Sequence, residues 1–284
     1  MTATEVILLL LGTLIALAVG SFTCVVIDRL PLELEQPNEY GDRYETRPWS
    51  EVLGGNSRCS SCGSPVRPGN NIPIVSWIVL RGRCRDCGER IPVYHPIVEI
   101  LVPALFLVAV SALGWSWRIV PFLVLIPVGV AISVIDLQTL IVPTRLVWPT
   151  LGTVAFFSVL ATIADGKWEW LVTALVGLVV LSGPLFALWF MLPAGMGFGD
   201  VRLAVLLGWT VGFYGGVEPA AGAILSIATL FLASLVGIVV GVTVLGARGR
   251  GAKVPFGPSL VAAAFAVILV SRQLLEPFGV WTLT

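Results

Sequence analysis

Long apolar runs separated by short polar breaks dominate the chain. Eight of them stand out, at 6–27, 97–113, 119–135, 146–164, 170–192, 201–217, 219–245 and 256–270. An apolar helix needs about 20 residues to cross the hydrocarbon core of a bilayer. The runs lack the period-two alternation of barrel strands, and backbone in lipid must satisfy its own hydrogen bonds, so the pattern predicts helices. The eighth run is short, and Pro258 inside it blurs its start. The expected fold class is an all-α polytopic membrane protein with about eight transmembrane helices. Only one polar stretch is long enough to form a module of its own. The chain therefore divides into a first helix at 1–27, a loop at 28–96 and a membrane-embedded region at 97–284.

Composition fits this reading. Apolar residues make up 57% and charged residues 12% of the 284 positions, where a soluble domain carries about 25% charged residues. The flank of the first run has Glu5 and no Lys or Arg, unlike the positive leader of a signal peptide, so the run reads as a retained span. Net charge is zero, which gives nucleic-acid binding no electrostatic support. With eight spans, fourteen of the seventeen Lys and Arg fall on one side, in 28–96, 136–145, 193–202 and 246–255. The positive-inside rule makes that side cytosolic. Most of the ten tryptophans, Trp77, Trp115, Trp117, Trp168 and Trp170 among them, lie near span ends and read as interfacial anchors.

The loop holds two cysteine pairs, Cys59-Ser-Ser-Cys62 and Cys84-Arg-Asp-Cys87, separated by twenty-one residues and each followed by glycine. Such knuckles supply four thiolates to one metal ion, and Gly63 and Gly88 suit turns at positive φ. Cytosolic thiols stay reduced, which favours structural zinc over two disulfides. A loop with so few apolar residues would draw much of its folding energy from that metal. Cys24, inside the first span, reads as a small buried apolar residue. His95 reads as an interfacial histidine rather than a further metal ligand.

Two acids at the edges of apolar runs carry the candidate chemistry. Asp136 lies in Ile135-Asp136-Leu137 and Asp200 in Gly197-Phe198-Gly199-Asp200. An ionisable group at membrane depth is costly unless it has a partner and a task. Both fall on the cytosolic side of the predicted topology. Two carboxyls a few ångströms apart can share one proton, one acting as base and the other as acid in peptide hydrolysis. The only histidine and the absence of H-E-x-x-H leave triad and metalloprotease chemistry without residues. Taken alone, Asp200 also fits an N-cap for a helix beginning at Val201. Asp136 ends a helix, where the dipole opposes a negative charge, so a capping role does not explain it. Glu99, near the start of the second span, reads as a helix-start acid. Gly197 and Gly199 leave backbone open to an extended substrate strand.

Five blocks make the chain resemble the type IV prepilin peptidases, also called leader peptidase/N-methyltransferases. They are Gly20-Ser21-Phe22 through Leu30-Pro31; the cysteine pairs with Asn71-Ile72-Pro73 and Leu80-Arg81-Gly82-Arg83; Ile135-Asp136-Leu137 with Ile141-Val142-Pro143; Gly197-Phe198-Gly199-Asp200; and Val254-Pro255-Phe256-Gly257-Pro258. The resemblance implies a bacterial inner-membrane enzyme that removes the short basic leader of prepilins and pseudopilins at the cytosolic face. It also implies methylation of the new N-terminus with S-adenosylmethionine. Carried over, Asp136 and Asp200 are the catalytic pair, Cys59, Cys62, Cys84 and Cys87 bind zinc, and Gly82 matches a position tied to methyl transfer and its cofactor. No glycine-rich nucleotide loop supports that second activity independently. Thr144 stands where the family usually has Asp, Arg202 where it has Lys, and His95 where an aromatic is common, while 31–55 resembles an insertion. A peptidase without methyl transfer, or a transporter relaying ions through the two aspartates, are the alternatives.

Overall fold

The computed structural model describes residues 3–34, 44–193, 195–248 and 254–279. It falls into two compact units, Met1–Val108 and Ala109–Thr284, with the break inside the second long helix.

The first unit begins with α1, Ala3–Arg29, whose Glu5 and Arg29 complement the helix dipole at its two ends. Strands β1, Pro31–Glu33, and β2, Tyr44–Thr46, then form a short antiparallel pair. The intervening 35–43, part of the segment read as an insertion, lies outside the described residues. One-turn helices α2, Trp49–Val52, and α3, Val75–Val79, punctuate the loop before α4, Tyr94–Leu113. α1 and α4 approach closely at Gly20, where an added Cβ would lie 3.3 Å from the Glu99 Cα.

In the second unit, α5, Val120–Thr139, and α6, Thr144–Asp165, form a hairpin. Its corner is set by Leu140, whose left-handed φ of 59° ends α5, and by Pro143, which caps α6. Then come α7, Glu169–Met191, α8, Phe198–Phe213, α9, Pro219–Arg248, α10, Gly257–Leu269, and α11, Ser271–Leu275. Every predicted span is a helix. Six are long and apolar enough to cross a membrane, and α10 with its continuation, bent by 76°, makes a possible seventh. The remaining expected span, 201–217, corresponds to α8, which has 16 residues, or about 24 Å at 1.5 Å per residue. That is short for a bilayer, and ten of its residues are buried by the surrounding helices.

Glycine sets how α8 is enclosed. A Cβ on Gly177 would stand 2.6 Å from the Gly208 carbonyl oxygen, and one on Gly208 would stand 2.7 Å from that of Gly177. Helices in lipid gain little from excluding water, so close backbone contact at small residues is what holds α7 and α8 together. On α9, Ser226 donates to the Gly177 carbonyl at 3.2 Å. Trp170 departs from the anchor reading: it is 4% exposed, stacks edge-on with Phe213 and carries the Arg118 guanidinium 4.6 Å from its ring centre. An arginine beside that span end draws the indole inward.

Candidate functional site

Three helix ends meet at Asp136. The residue sits in the last turn of α5 and is 4% exposed. The chain leaves the helix through Leu140 and enters α6 after Pro143. Val142 packs on the bare Cα of Gly199, where an added Cβ would lie 2.9 Å from the valine Cβ. That contact seats the start of α8 against the end of α5.

α8 starts earlier than the N-cap reading of Asp200 requires. Gly197, extended at φ −71° and ψ 136°, is the N-cap, and Asp200 is the third residue of the helix. Its N–H donates to the Gly197 carbonyl at 3.2 Å, and no side-chain cap bond forms. Asp200 lies within electrostatic range of Asp136, so the two carboxylate charges repel. The sequence-predicted pair is brought together. Gly197 is exposed, with Asp200 Oδ2 3.7 Å from its open side, whereas Val142 occupies the open side of Gly199.

Two further contacts were not read from the sequence. Arg202, which also donates to the Phe198 carbonyl at 3.4 Å, donates to the Thr144 hydroxyl, tying the start of α8 to the start of α6. From the first turn of α10, the Gly257 N–H donates to Asp136 Oδ2 at 3.0 Å. The only sequence signal for it was the glycine inside the Pro255-Phe256-Gly257-Pro258 block. Asp136 and Gly257 are 121 residues apart, and no local pattern encodes such a pairing.

In the other unit, the four cysteine sulfurs lie within 4.8 Å of one another, and Cys59 and Cys87 are 3.9 Å apart. Four ligands at about 2.3 Å around one tetrahedral ion put sulfurs about 3.8 Å apart, so the tetrad fits a metal ion. Each pair is a knuckle of the same build. The Cys59 N–H donates to Ser64 and Gly63 donates back to Cys59, as Cys84 donates to Glu89 and Gly88 to Cys84. Gly63 and Gly88 adopt φ of 71° and 75°, as the spacing predicts. Hydrogen bonds from the Ser64 hydroxyl and N–H pull the Cys62 thiol down to about 6. Backbone N–H groups of Cys87 and Asp86 lower Cys84 as well. His95 stays out of the tetrad. Its Nε2 is 3.2 Å from Asp28 Oδ2, and Tyr94 donates its hydroxyl to the same carboxylate.

Gly82 is buried at φ 66°, and an added Cβ would lie 2.8 Å from Cζ2 of Trp77. Its N–H donates to the Trp77 carbonyl and its own carbonyl accepts from Ile91, both at 2.8 Å. Both backbone groups of Gly82 thus take part in the hydrogen bonds of the turn, at a φ that favours glycine. Glu99 also differs from its reading as a helix-start acid. It is 9% exposed, beyond the first turn of α4, and accepts the Ile74 N–H at 2.6 Å. Ile74 holds φ 64°, a conformation costly for a β-branched residue, and the carboxylate fixes it there.

These features define a polytopic membrane protein with a carboxylate pair, Asp136 buried and Asp200 half-buried, and a four-sulfur metal-competent loop. The chain belongs to the type IV leader peptidase family: residues 123–242 match that family and residues 14–113 match the bacterial peptidase A24 N-terminal domain. It is 34% identical to the prepilin leader peptidase/N-methyltransferase of Pseudomonas putida over 91% of this chain and 89% of that one. The proteins of the same name from Aeromonas hydrophila and Neisseria gonorrhoeae are 32% and 28% identical, covering 90% and 95% of this chain and 88% and 93% of theirs. No solved structure matches it.

Proposed function

We propose that this chain is a bifunctional prepilin leader peptidase and N-methyltransferase. It cuts the short basic leader from prepilins and pseudopilins, then methylates the exposed N-terminus. The observation that carries the peptidase reading is the meeting of Asp136 and Asp200, from α5 and α8, in a chain of this family. A carboxylate takes a proton from water while a carboxylic acid gives one to the peptide carbonyl, and no metal is needed for that exchange. Gly197, exposed and lacking a side chain, is the backbone against which an extended substrate strand would lie.

The four cysteines bind zinc as a structural ion, since four thiolates leave no open coordination position. S-adenosylmethionine supplies an electrophilic methyl group on its sulfonium sulfur. Gly82 serves that activity through the fold of the loop. The charge bias of the loops supports a plasma (inner) membrane location with the aspartates at the cytosolic face.

The test is incubation of the purified full-length protein with a leader-bearing prepilin, with and without S-adenosylmethionine, followed by intact-mass analysis. Loss of the leader in both samples and one added methyl group only with the donor is the expected result. An uncut prepilin overturns the peptidase reading, and a cut but unmethylated product makes the chain a monofunctional peptidase.

A further inference from the structure

The two aspartates are chemically alike but differently surrounded. Asp136 Oδ2 accepts the Gly257 N–H at 3.0 Å in a buried setting. That N–H belongs to the first turn of a 13-residue helix, one of the donors with no partner inside its own helix. An N–H can only donate, and its bond is strongest to a charged oxygen. The positive end of the α10 dipole also favours a negative charge there.

Asp200 shares with Asp136 a place beside a helix start, but no hydrogen bond reaches its carboxylate among the described residues. The nearby Arg202 donates instead to Thr144 and to the Phe198 carbonyl. Charge on Asp136 further opposes charge on Asp200. The arrangement also demands glycine at 257. An added Cβ there would lie 2.6 Å from Asp136 Oδ2 and 3.3 Å from Cγ. The atoms it would strike are the movable end of a side chain, so alanine would turn the Asp136 carboxylate away and leave the helices in place.

We propose that Gly257 is a positioning residue for peptide cleavage, holding Asp136 as the ionised base of the pair and leaving the shared proton on Asp200. The assignment rests on the peptidase reading above. Asp136 takes a proton from water as the water oxygen bonds to the scissile carbonyl carbon. The carbonyl π electrons move to oxygen, which takes the proton of Asp200. In the collapse of the tetrahedral diol, Asp136 returns its proton to the leaving nitrogen as the C–N bond breaks, and Asp200 recovers a proton from the diol hydroxyl.

The test has two parts on the full-length protein. In steady-state cleavage of a leader-bearing prepilin, Gly257→Ala should lower kcat on the order of 100-fold, the cost of misplacing a reacting group by about 1 Å. KM should stay within about twofold, since the substrate-binding surface is untouched. Gly183→Ala, on α7 where an added Cβ meets nothing, should match wild type. A Gly257→Ala enzyme with wild-type kcat, or with only KM raised, overturns the proposal. The second part does not depend on that variant being active or folded: the amide proton of Gly257 is followed by NMR in protein labelled with 15N-glycine. It should move strongly in Asp136→Asn and little in Asp200→Asn, and an unmoved signal in Asp136→Asn overturns the proposal. Were wild type inactive on prepilin, the peptidase reading would fall while the amide signal still reported on the Gly257–Asp136 bond.

Discussion

Val142 rests on Gly199 so closely that a side chain on the glycine would stand 2.9 Å from the valine Cβ. This contact joins the corner after α5 to the first turn of α8, and so fixes one aspartate relative to the other. Gly199→Ala should therefore separate the pair without removing either acid. Overpacking of this kind costs about 1–3 kcal/mol, and cleavage should fall on the order of tenfold. Val142→Ala should relieve part of the crowding, so the double variant should be less impaired than the product of the two single effects. Strictly multiplicative losses would show that Val142 and Gly199 do not act through one contact.

The turn at Gly82 offers a second test. Serine there meets both a left-handed φ of 66° and the Trp77 ring. The conformational term alone costs about 1–2 kcal/mol. Trp77 fluorescence should shift and the loop should become more sensitive to protease. Methylation should fall more than cleavage, because the two-carboxylate chemistry does not involve the loop. Equal loss of both activities in a folded, metal-loaded protein would contradict a separate role for the loop.

Metal removal tests the tetrad. The purified protein should contain about one zinc per chain, and a strong chelator or Cys59→Ser should release it. Ordering of a metal loop draws on metal-binding energy, so residues between the knuckles should then be cut readily by protease. Helix content, which resides in the spans, should hardly change. A metal-free protein with the same protease resistance would remove zinc from the account.

The spans were legible because their signal is local. Eight apolar runs became eight helices, most with ends a few residues from those expected, and Gly63 and Gly88 were readable from the cysteine spacing. Features that depend on distant partners were not legible. Gly257 stands in one of the five resembling blocks, but its partner is seen only when α10 is set against Asp136. Trp170 sits at a span end like the exposed Trp168, yet Arg118 and Phe213 hold it inside. The end of α8 lies short of the expected one because its apolar run continues past Phe213 into a turn, which hydropathy does not register. Glu99 was read from its place near a helix start, whereas its partner, Ile74, is 25 residues away.

The central claim is that Asp136 and Asp200 act as one unit. The most direct measurement is prepilin cleavage by Asp136→Asn, Asp200→Asn and the double variant, each checked for membrane insertion and zinc content. Both single variants should lose cleavage as completely as the double, because an acid without its base cannot complete the proton exchange. Each should still methylate a pre-cleaved pilin. Substantial cleavage by either single variant would contradict the account.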